Sequence, residues 1–454
     1  MEESQQEEIN SIYQQATEAL EEKYYYKALN FYQETLLLNK KSSYPYIKTA
    51  EIHEIKQDFY QSEKILKEGI QNVSDKDELY LSLGKLYLKS NNLSDAEKTL
   101  KKIDNPINFP EKNIKLAEIY YKQNNKEKAM EKIEELLSEN EIDNTTKRFL
   151  ETKYLQSLSS VYDNPQEALT ILNQGNFTEE ILLTKTENLK EILNMEVSNY
   201  QKLLLSQELI NQGFPALIIP EVTKIIKAEP EYRDAYLVLG TAHFESENKE
   251  EAKTIWEKAI EKDPAHGENH FLLSQYYLSQ KNIEKAELYA ERASYIEPKN
   301  SKFSVFLATL HFQQNNCEKA IREQERVVNQ LVLWQSQEEI INNQISLVNF
   351  YLECNNFKKA VSLSEKLKNS QTPTELDQQI LDLHAWSFWK KDGNKEQSTQ
   401  NYQTLLSQYP NESIIHWHYS KILRESGNIK QADIEKNRAY ELDIYNTLPS
   451  ENTS

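Results

Sequence analysis

The sequence contains little glycine, proline or cysteine. Among 454 residues there are 8 glycines, 12 prolines and 2 cysteines. So few turn-forming residues argue against a loop-rich β protein or a disordered linker, and two cysteines cannot hold a protein of this size together through disulfides. The apolar runs all fall short of the roughly 18 residues that a membrane-spanning helix needs. The opening MEESQQEEIN is acidic and lacks the apolar core of a secretory signal. We therefore expect a cytoplasmic protein.

Sequence motifs of common catalytic sites are also missing. The chain has neither GxGxxG nor GxxxxGK[ST], the glycine-rich patterns that hold phosphates. It has no GxSxG nucleophile motif either. Carboxylates are abundant along the chain, as expected for the solvated faces of an acidic helical protein. We predict that the protein is not an enzyme, with no catalytic residues and no cofactor.

Charge and hydropathy favour an all-α protein. The chain carries 72 acidic and 53 basic residues, for a net charge of −19. A phosphate backbone would be repelled by this field, so nucleic acid is not an expected partner. The content of 38% hydrophobic and 28% charged residues suits amphipathic helices.

One unit of 34 residues recurs along the chain. The segment NKEEAKTIWEKAIEKDP, Asn248–Pro264, aligns without a gap with NIEKAELYAERASYIEP, Asn282–Pro298, at an offset of 34 residues. Each copy places two alanines seven residues apart and a proline five residues after the second. Small residues at helical spacing indicate a face pressed against another helix, and the proline indicates where that helix ends.

Equivalents of Ala252 recur in similar surroundings, and we call the whole set the anchor residues. They are Ala28, Ser62, Ala96, Ala129, Ala168, Ile218, Ala252, Ala286, Ala320, Ala360, Ser398 and Ala432. The steps between them are 34, 34, 33, 39, 50, 34, 34, 34, 40, 38 and 34 residues. Most of the chain is therefore one repeated unit.

Each unit is predicted to be a pair of helices. In RDAYLVLGTAHFES, residues 233–246, apolar or small residues recur at the spacing of one helix face. A polar turn follows, and then the second helix with its anchor residue. That turn needs a residue that tolerates the left-handed conformation. Candidates at the turn are Asn91, Asn124, Asn315, Asn355, Gly393 and Gly427.

The pattern resembles the tetratricopeptide repeat over roughly residues 9–445. The residues that carry the resemblance, besides the period and the alanine pairs, are Gly84, Gly240, Tyr87, Tyr120, Tyr277, Tyr351, Pro230, Pro264, Pro298 and Pro410. The resemblance implies an all-α fold, a right-handed superhelical solenoid of about 11–12 helix-turn-helix repeats, with the first helices lining the concave side. Each repeat buries its apolar faces only against its neighbours.

Departures from the period predict the organisation of the array. The step of 50 between Ala168 and Ile218 exceeds 34 by 16, about one extra helix, and residues 178–195 have a suitable composition. We predict a flexible tail at 1–8, an N-terminal repeat segment at 9–175, an irregular inserted helix at 176–198, a C-terminal repeat segment at 199–445 and a polar tail at 446–454. The step of 40 after Ala320 is expected to lengthen the second helix through Val332 and Trp334.

Histidines and cysteines are expected to be structural. His266 and His270 stand four residues apart, the spacing of two metal ligands on a helix, but His266 falls in a predicted connection and no third ligand is nearby, so no metal site is predicted. His243 and His311 occupy the position where other units carry tyrosine, and we expect them to be packed and hydrogen-bonded. Cys317 and Cys354 lie near the turns of successive units, yet their repeat positions differ by three residues, which favours separate thiols over a bridge.

The expected function is that of a non-catalytic protein-interaction scaffold or adaptor. Its concave groove would hold an apolar peptide segment of a partner protein. The alternatives are a regulatory or substrate-binding subunit of an enzyme complex and a peptide-sensing regulator. In the family fold, the fifth, ninth and twelfth residues of each first helix face the groove. The resemblance therefore predicts a groove lined by Leu237, Thr241, Phe244, Phe271, Gln275, Leu278, Val305, Thr309, Phe312, Ile345, Asn349 and Leu352.

Overall fold

The computed structural model describes residues 3–22, 24–104, 109–138, 147–177, 179–330, 333, 335–370, 376–443 and 448. Over these residues the chain forms twenty-five α-helices and no strand. The helices are α1 (Glu3–Glu21), α2 (Tyr25–Leu38), α3 (Tyr44–Ile55), α4 (Phe59–Asn72), α5 (Asp77–Lys89), α6 (Leu93–Leu100), α7 (Phe109–Lys122), α8 (Lys126–Ser138), α9 (Lys147–Leu158), α10 (Pro165–Asn173), α11 (Glu180–Leu193), α12 (Asn199–Asn211), α13 (Pro215–Ala228), α14 (Arg233–Glu245), α15 (Lys249–Lys262), α16 (Gly267–Ser279), α17 (Ile283–Ile296), α18 (Ser301–Gln313), α19 (Cys317–Gln330), α20 (Gln337–Glu353), α21 (Phe357–Lys368), α22 (Asp377–Asp392), α23 (Lys395–Gln408), α24 (Ser413–Glu425) and α25 (Ile429–Leu442).

The helices pair as the repeat predicts. Twelve of them carry an anchor residue, and each of these follows a partner helix. Every anchor residue is at most 1% exposed. At eleven of the twelve positions the side chain is a small alanine or serine, which lets the two helices of a pair approach closely; the exception is Ile218. The predicted all-α repeat fold is confirmed.

Helix α11 does not belong to a repeat pair. Helix α11 lies between the pair α9 and α10 and the pair α12 and α13, and it carries no anchor residue. It falls within residues 176–198, where an inserted helix is predicted. The division of the array into two segments at this point stays a prediction.

Paired asparagines form the turns inside several repeats. The first residue of each doublet adopts a left-handed conformation, with φ of 57° at Asn91 and 58° at Asn315. The second caps the next helix: the Asn92 side chain accepts a hydrogen bond from the Asp95 amide, and Asn316 accepts one from Lys319. Asparagine suits both roles, since it tolerates positive φ and its side-chain oxygen binds free amides.

The predicted left-handed turns are confirmed at every candidate position. Positive φ occurs at Asn91, Asn124, Asn315, Asn355, Gly393 and Gly427. Equivalent turns place Gln57, Glu247 and Lys281 at φ of 56°, 62° and 59°, which the sequence did not predict. Long side chains are disfavoured in this conformation. In each of these three turns the amide of the next residue donates a hydrogen bond back to the preceding helix, as Asn282 does to the Tyr277 carbonyl at 2.9 Å.

Two compact units are recognised in the chain. Unit A comprises Lys41–Ile47 and Phe59–Tyr276, and unit B comprises Met1–Lys40, Lys48–Asp58 and Tyr277–Ser454. Unit B contains helices from both ends of the chain. Within it the Arg438 guanidinium carbon lies 3.5 Å from the centroid of the Tyr24 ring, and the Lys56 ammonium lies 3.5 Å from the Tyr440 carbonyl oxygen.

Parts of both predicted tails lie within the described residues. Helix α1 begins at Glu3, inside the predicted flexible tail of residues 1–8. The opening ESQQEEINS contains no helix breaker, which permits this early start. Leu448, inside the predicted polar tail of residues 446–454, is 8% exposed and packs in a cluster with Trp417 and Ala439. The other residues of that tail lie outside the described part of the chain.

The long step after Ala320 coincides with a longer first helix in the next repeat. Helix α19 spans 14 residues, as α15 and α17 do, whereas α20 has 17 residues against 13 in α18. The predicted lengthening through Val332 and Trp334 falls on residues outside the described ranges. Ser336 begins α20 with a capping box formed with Glu339, and this box fixes where the longer helix starts.

The prediction of two separate thiols is wrong. Cys317 and Cys354 form a disulfide, with their Cα atoms 5.8 Å apart. Cys317 is the first residue of α19, and Cys354 is the residue that follows α20. Because successive helices run in opposite directions, the start of one lies beside the end of the next. The difference of three residues in repeat position therefore brings the two cysteines together.

None of the described helices is both long enough and apolar enough to cross a membrane.

Candidate functional site

In unit A, the predicted groove residues lie on α14 and α16. Leu237, Thr241, Phe244 and Gln275 are half-buried, whereas Phe271 is 3% exposed. The Phe244 ring lies 5.6 Å from the Trp256 ring, centroid to centroid. The Thr241 hydroxyl donates to the Leu237 carbonyl of its own helix at 2.9 Å. Much of this predicted lining therefore packs against the repeat itself.

In unit B, the predicted residues lie at the end of α16 and on α18 and α20. Leu278, Val305 and Phe312 are half-buried, and Thr309 and Asn349 are exposed. Ile345 and Leu352 are 4% and 9% exposed. Phe312 stacks on Phe350 with ring centroids 4.6 Å apart, which joins α18 to α20. Thr309 donates to the Val305 carbonyl at 2.9 Å.

A cleft in unit A meets the requirements of a binding site better than these rows. It has a volume of about 280 Å³ and lies among α7, α9, α11 and the connection before α13. We call it the α11 cleft. Its lining residues are Ile114, Lys115, Glu118, Lys147, Glu151, Tyr154, Leu155, Glu179, Ile181, Leu182, Lys185 and Phe214. Ile181 is 69% exposed, so the cleft presents apolar surface to solvent.

Hydrogen bonds and ring contacts fix the back of the α11 cleft. The Tyr154 hydroxyl donates to the Gln212 side-chain oxygen at 2.6 Å. The Phe214 ring lies 6.4 Å from the ring of Tyr154. The Lys122 ammonium donates to the Gly213 carbonyl at 2.8 Å. These contacts tie the connection before α13 to α7 and α9, so the cleft is preformed.

The rim of the α11 cleft is charged. Lys147 pairs with Glu179 at 2.7 Å, and Lys115 lies 3.4 Å from Glu118. Although burial lowers it, the carboxylates of Glu118 and Glu151 hold the pKa of Lys115 above its ordinary value. Burial raises the pKa of the Glu151 carboxyl, an effect that Lys115 opposes and Glu111 reinforces. Negative charge at Glu151 is therefore incompletely compensated inside the protein.

Two of the residues that line the α11 cleft could be predicted from the sequence. Ile114 and Glu118 precede Ala129 by 15 and 11 residues, as Leu237 and Thr241 precede Ala252. The rule that predicted the C-terminal rows therefore also places Ile114 and Glu118 in a groove. Helix α11, which supplies Ile181, follows no repeat register, so the period could not align it with α7 and α9.

His270, one of the two histidines spaced like metal ligands, has a polar partner within the protein. The His270 ring nitrogen Nε2 lies 3.2 Å from the Pro264 carbonyl oxygen, and the His270 side chain is buried. Within the described ranges, His266 and His270 belong to no group of three potential metal ligands.

Comparison with known proteins gives the family of the repeats. Sequence models of the tetratricopeptide repeat match residues 237–302, 114–140 and 380–412. No protein of curated function matches the chain.

Several solved structures are similar to the chain. They include the APC/C hetero-tetramer Cut9–Hcn1, at 13% identity over 96% of this chain and 93% of that chain, with a TM-score of 0.38. Yeast Tom70 has 14% identity over 96% and 92% of the two chains and a TM-score of 0.36. The pilF protein of Pseudomonas aeruginosa has 18% identity over 45% and 88%, with a TM-score of 0.34.

The matched segments coincide with observed helix pairs. The match at 114–140 includes most of α7 and all of α8, the match at 237–302 extends from α14 to the start of α18, and the match at 380–412 includes most of α22 and all of α23. The buried anchor residues extend the same unit to both ends of the array. The matched segments of the chain are tetratricopeptide repeats.

Proposed function

We propose that the protein is a non-catalytic interaction scaffold that holds a short segment of a partner protein in the α11 cleft. The observation that supports this most strongly is the preformed cleft of about 280 Å³ with an exposed apolar side chain at its mouth. Small-molecule sites usually measure about 300–1,000 Å³. A space below that range suits one or two apolar side chains of a bound peptide, which is how peptide side chains dock into the grooves of other binding proteins.

The charges around the cleft suggest the chemistry of that peptide. An apolar side chain of the peptide would pack on Ile181. It would contribute on the order of 1.5–3 kcal/mol to the free energy of binding if a whole leucine or phenylalanine is buried. A lysine or arginine beside that side chain would compensate the Glu151 carboxylate, which Lys115 balances only in part. The predicted partner segment is therefore an apolar residue with a basic neighbour.

The rows on α18 and α20 remain a second proposed surface of the scaffold. Thr309 and Asn349 are exposed and offer hydrogen-bonding groups, and Phe312 leaves part of its ring accessible. This surface is less open than predicted because Ile345 and Leu352 are buried.

A displayed library of random 12-residue peptides, selected on the full chain, tests the proposal. Selected peptides are synthesised and their dissociation constants measured by calorimetry. We expect enrichment of an apolar residue next to lysine or arginine. No enrichment over a naive library would contradict the scaffold function itself.

Two matched variants of α11 then locate the site. Ile181→Asp replaces the exposed apolar side chain of the cleft with a charged one. Because the apolar contact with the peptide is lost, binding should weaken at least about tenfold. Leu183→Asp makes the same change two residues away, at a side chain that is 38% exposed and does not line the cleft. It should leave the affinity unchanged. If only Phe312→Ala weakens binding, the site is the row on α18 and α20.

A further inference from the structure

A tyrosine–glutamate contact recurs between successive repeats. The Tyr87 hydroxyl donates to Glu63 at 2.8 Å, and the Tyr120 hydroxyl donates to Glu97 at 3.3 Å. Each tyrosine stands nine residues before the anchor residue of its repeat, and each glutamate follows the anchor residue of the preceding repeat. The contact therefore links the second helix of one repeat to the first helix of the next.

In unit B a histidine takes the place of this tyrosine. His311 on α18 stands nine residues before Ala320, and Glu287 on α17 follows Ala286. His311 is 2% exposed, and its Nδ1 atom lies 3.5 Å from Glu287 Oε1 without forming a hydrogen bond. An imidazole is shorter than a phenol, so it stops short of the carboxylate. A buried ring nitrogen without a hydrogen-bond partner costs free energy of folding. A further ligand of this nitrogen would therefore stabilise the protein.

A third ligand group completes a possible metal site. Glu291 lies one helical turn after Glu287 on α17, so both carboxylates project from the same face. One ligand atom from each of His311, Glu287 and Glu291 lies within 4.8 Å of the others. Ligands about 2.1 Å from a shared zinc ion lie roughly 3–4 Å from one another. A small rotation of the exposed Glu291 side chain would close that difference.

We propose that His311, Glu287 and Glu291 bind a divalent transition-metal ion, zinc in the first instance. One imidazole and two carboxylates from adjacent helices are a ligand set that helical proteins use for such ions. The imidazole nitrogen favours zinc over magnesium or calcium, which prefer oxygen ligands alone. Bound there, the ion links α17 to α18 and replaces the hydrogen bond that tyrosine supplies in other repeats.

Lys319 is the competitor of the ion. Its ammonium lies 3.1 Å from Glu287 Oε1, on the same oxygen that faces His311. The Lys319 side chain is 42% exposed at the start of α19, so it can turn into solvent when a metal ion arrives. Gln314 donates to the other oxygen, Glu287 Oε2, at 3.0 Å and holds the carboxylate in place. Removing the lysine charge should therefore strengthen metal binding.

The test is zinc calorimetry on the full chain without a histidine tag. Excess magnesium is added to occupy the exposed carboxylates of this acidic protein. In a second titration cobalt replaces zinc, and its visible absorption reports coordination through nitrogen. We expect one saturable zinc site per chain and a higher melting temperature with zinc bound. Absence of a saturable site would overturn the proposal.

Two variants separate the site from general attraction of cations. His311→Tyr keeps the net charge at neutral pH and restores the tyrosine–glutamate contact, so the fold should survive. Zinc affinity should fall at least about tenfold, a loss seen even when only an outer-shell partner is changed. Lys319→Met should bind zinc more tightly than the natural chain. Equal zinc affinity in the natural chain and His311→Tyr, or weaker binding in Lys319→Met, would overturn the site.

Discussion

Gly240 on α14 lies directly against the indole of Trp256 on α15. A Cβ atom at Gly240 would come within 2.8 Å of three indole atoms. Trp256 is 1% exposed, so the ring has no space into which it could move. Within this repeat, the close approach of the two helices depends on the missing side chain.

Gly240→Ala should therefore destabilise the protein. Alanine gains roughly 0.5–1 kcal/mol over glycine inside a helix, but overpacking a core costs about 1–3 kcal/mol. We expect a net loss of about 1 kcal/mol in the free energy of unfolding, seen as a lower urea midpoint. The neighbouring Thr241→Ala should change it by less than about 0.5 kcal/mol. A higher midpoint in Gly240→Ala would show that helix propensity outweighs packing here.

Lys281→Gly should stabilise the repeat that contains α16 and α17. Lys281 adopts a left-handed conformation with φ of 59°. This conformation costs an ordinary residue roughly 1–2 kcal/mol. Glycine avoids that cost, but it loses more backbone entropy on folding, which costs about 0.5–1 kcal/mol. The urea midpoint should rise by the equivalent of about 0.5–1 kcal/mol. Lys281→Ala keeps the Cβ atom and is the control; a glycine variant no more stable than the alanine variant would refute the strain at this turn.

Loss of the disulfide should weaken unit B. The bridge between Cys317 and Cys354 closes a sequence separation of 37 residues, and a loop of this size corresponds to about 2–4 kcal/mol of stabilisation. Cys354→Ser should lower the urea midpoint of the oxidised protein, and reduction of the natural chain should have the same effect. Peptide mapping without reductant should recover the two cysteines in one linked product. Free thiols at both positions in the purified oxidised chain would contradict the bridge.

Glu151→Gln should stabilise the protein at neutral pH. Burial raises the pKa of Glu151, and Lys115 opposes this only in part. A folded-state pKa above the unfolded one contributes stability at low pH, which is lost as the pH rises through the folded pKa. The variant should therefore melt at a higher temperature than the natural chain at pH 7, and the difference should shrink towards pH 4.

The exposed carboxylate of Glu134 on α8 offers the control for that comparison. Glu134→Gln should melt like the natural chain at both pH values. A melting temperature of Glu151→Gln at or below that of the natural chain at pH 7 would show that the ionised carboxylate is well compensated.

Local features of the fold could be predicted from the sequence. Most anchor residues and the left-handed Asn91 and Asn315 each follow from one short segment, because a small residue or an asparagine has the same effect in each repeat that contains it. The conformation at Lys281 could not be predicted, since the side chain of lysine disfavours positive φ and the turn is defined by backbone hydrogen bonds to the preceding helix.

Features that join distant segments were harder to predict. The α11 cleft brings Ile114 together with Ile181, which lies on a helix outside the repeat register. The disulfide joins two repeat positions that differ, and the antiparallel course of α19 and α20 brings them together. In both cases the period identifies each residue separately but gives no information about where the two side chains meet.

Hydrogen exchange of the full chain, followed by mass spectrometry with and without a selected peptide, tests most directly where a partner segment binds. Binding in the α11 cleft predicts slower exchange in residues 114–118, 151–155 and 181–185, which line it, with α8 unaffected. Slower exchange confined to α18 and α20, with those three segments unchanged, would contradict binding in the α11 cleft.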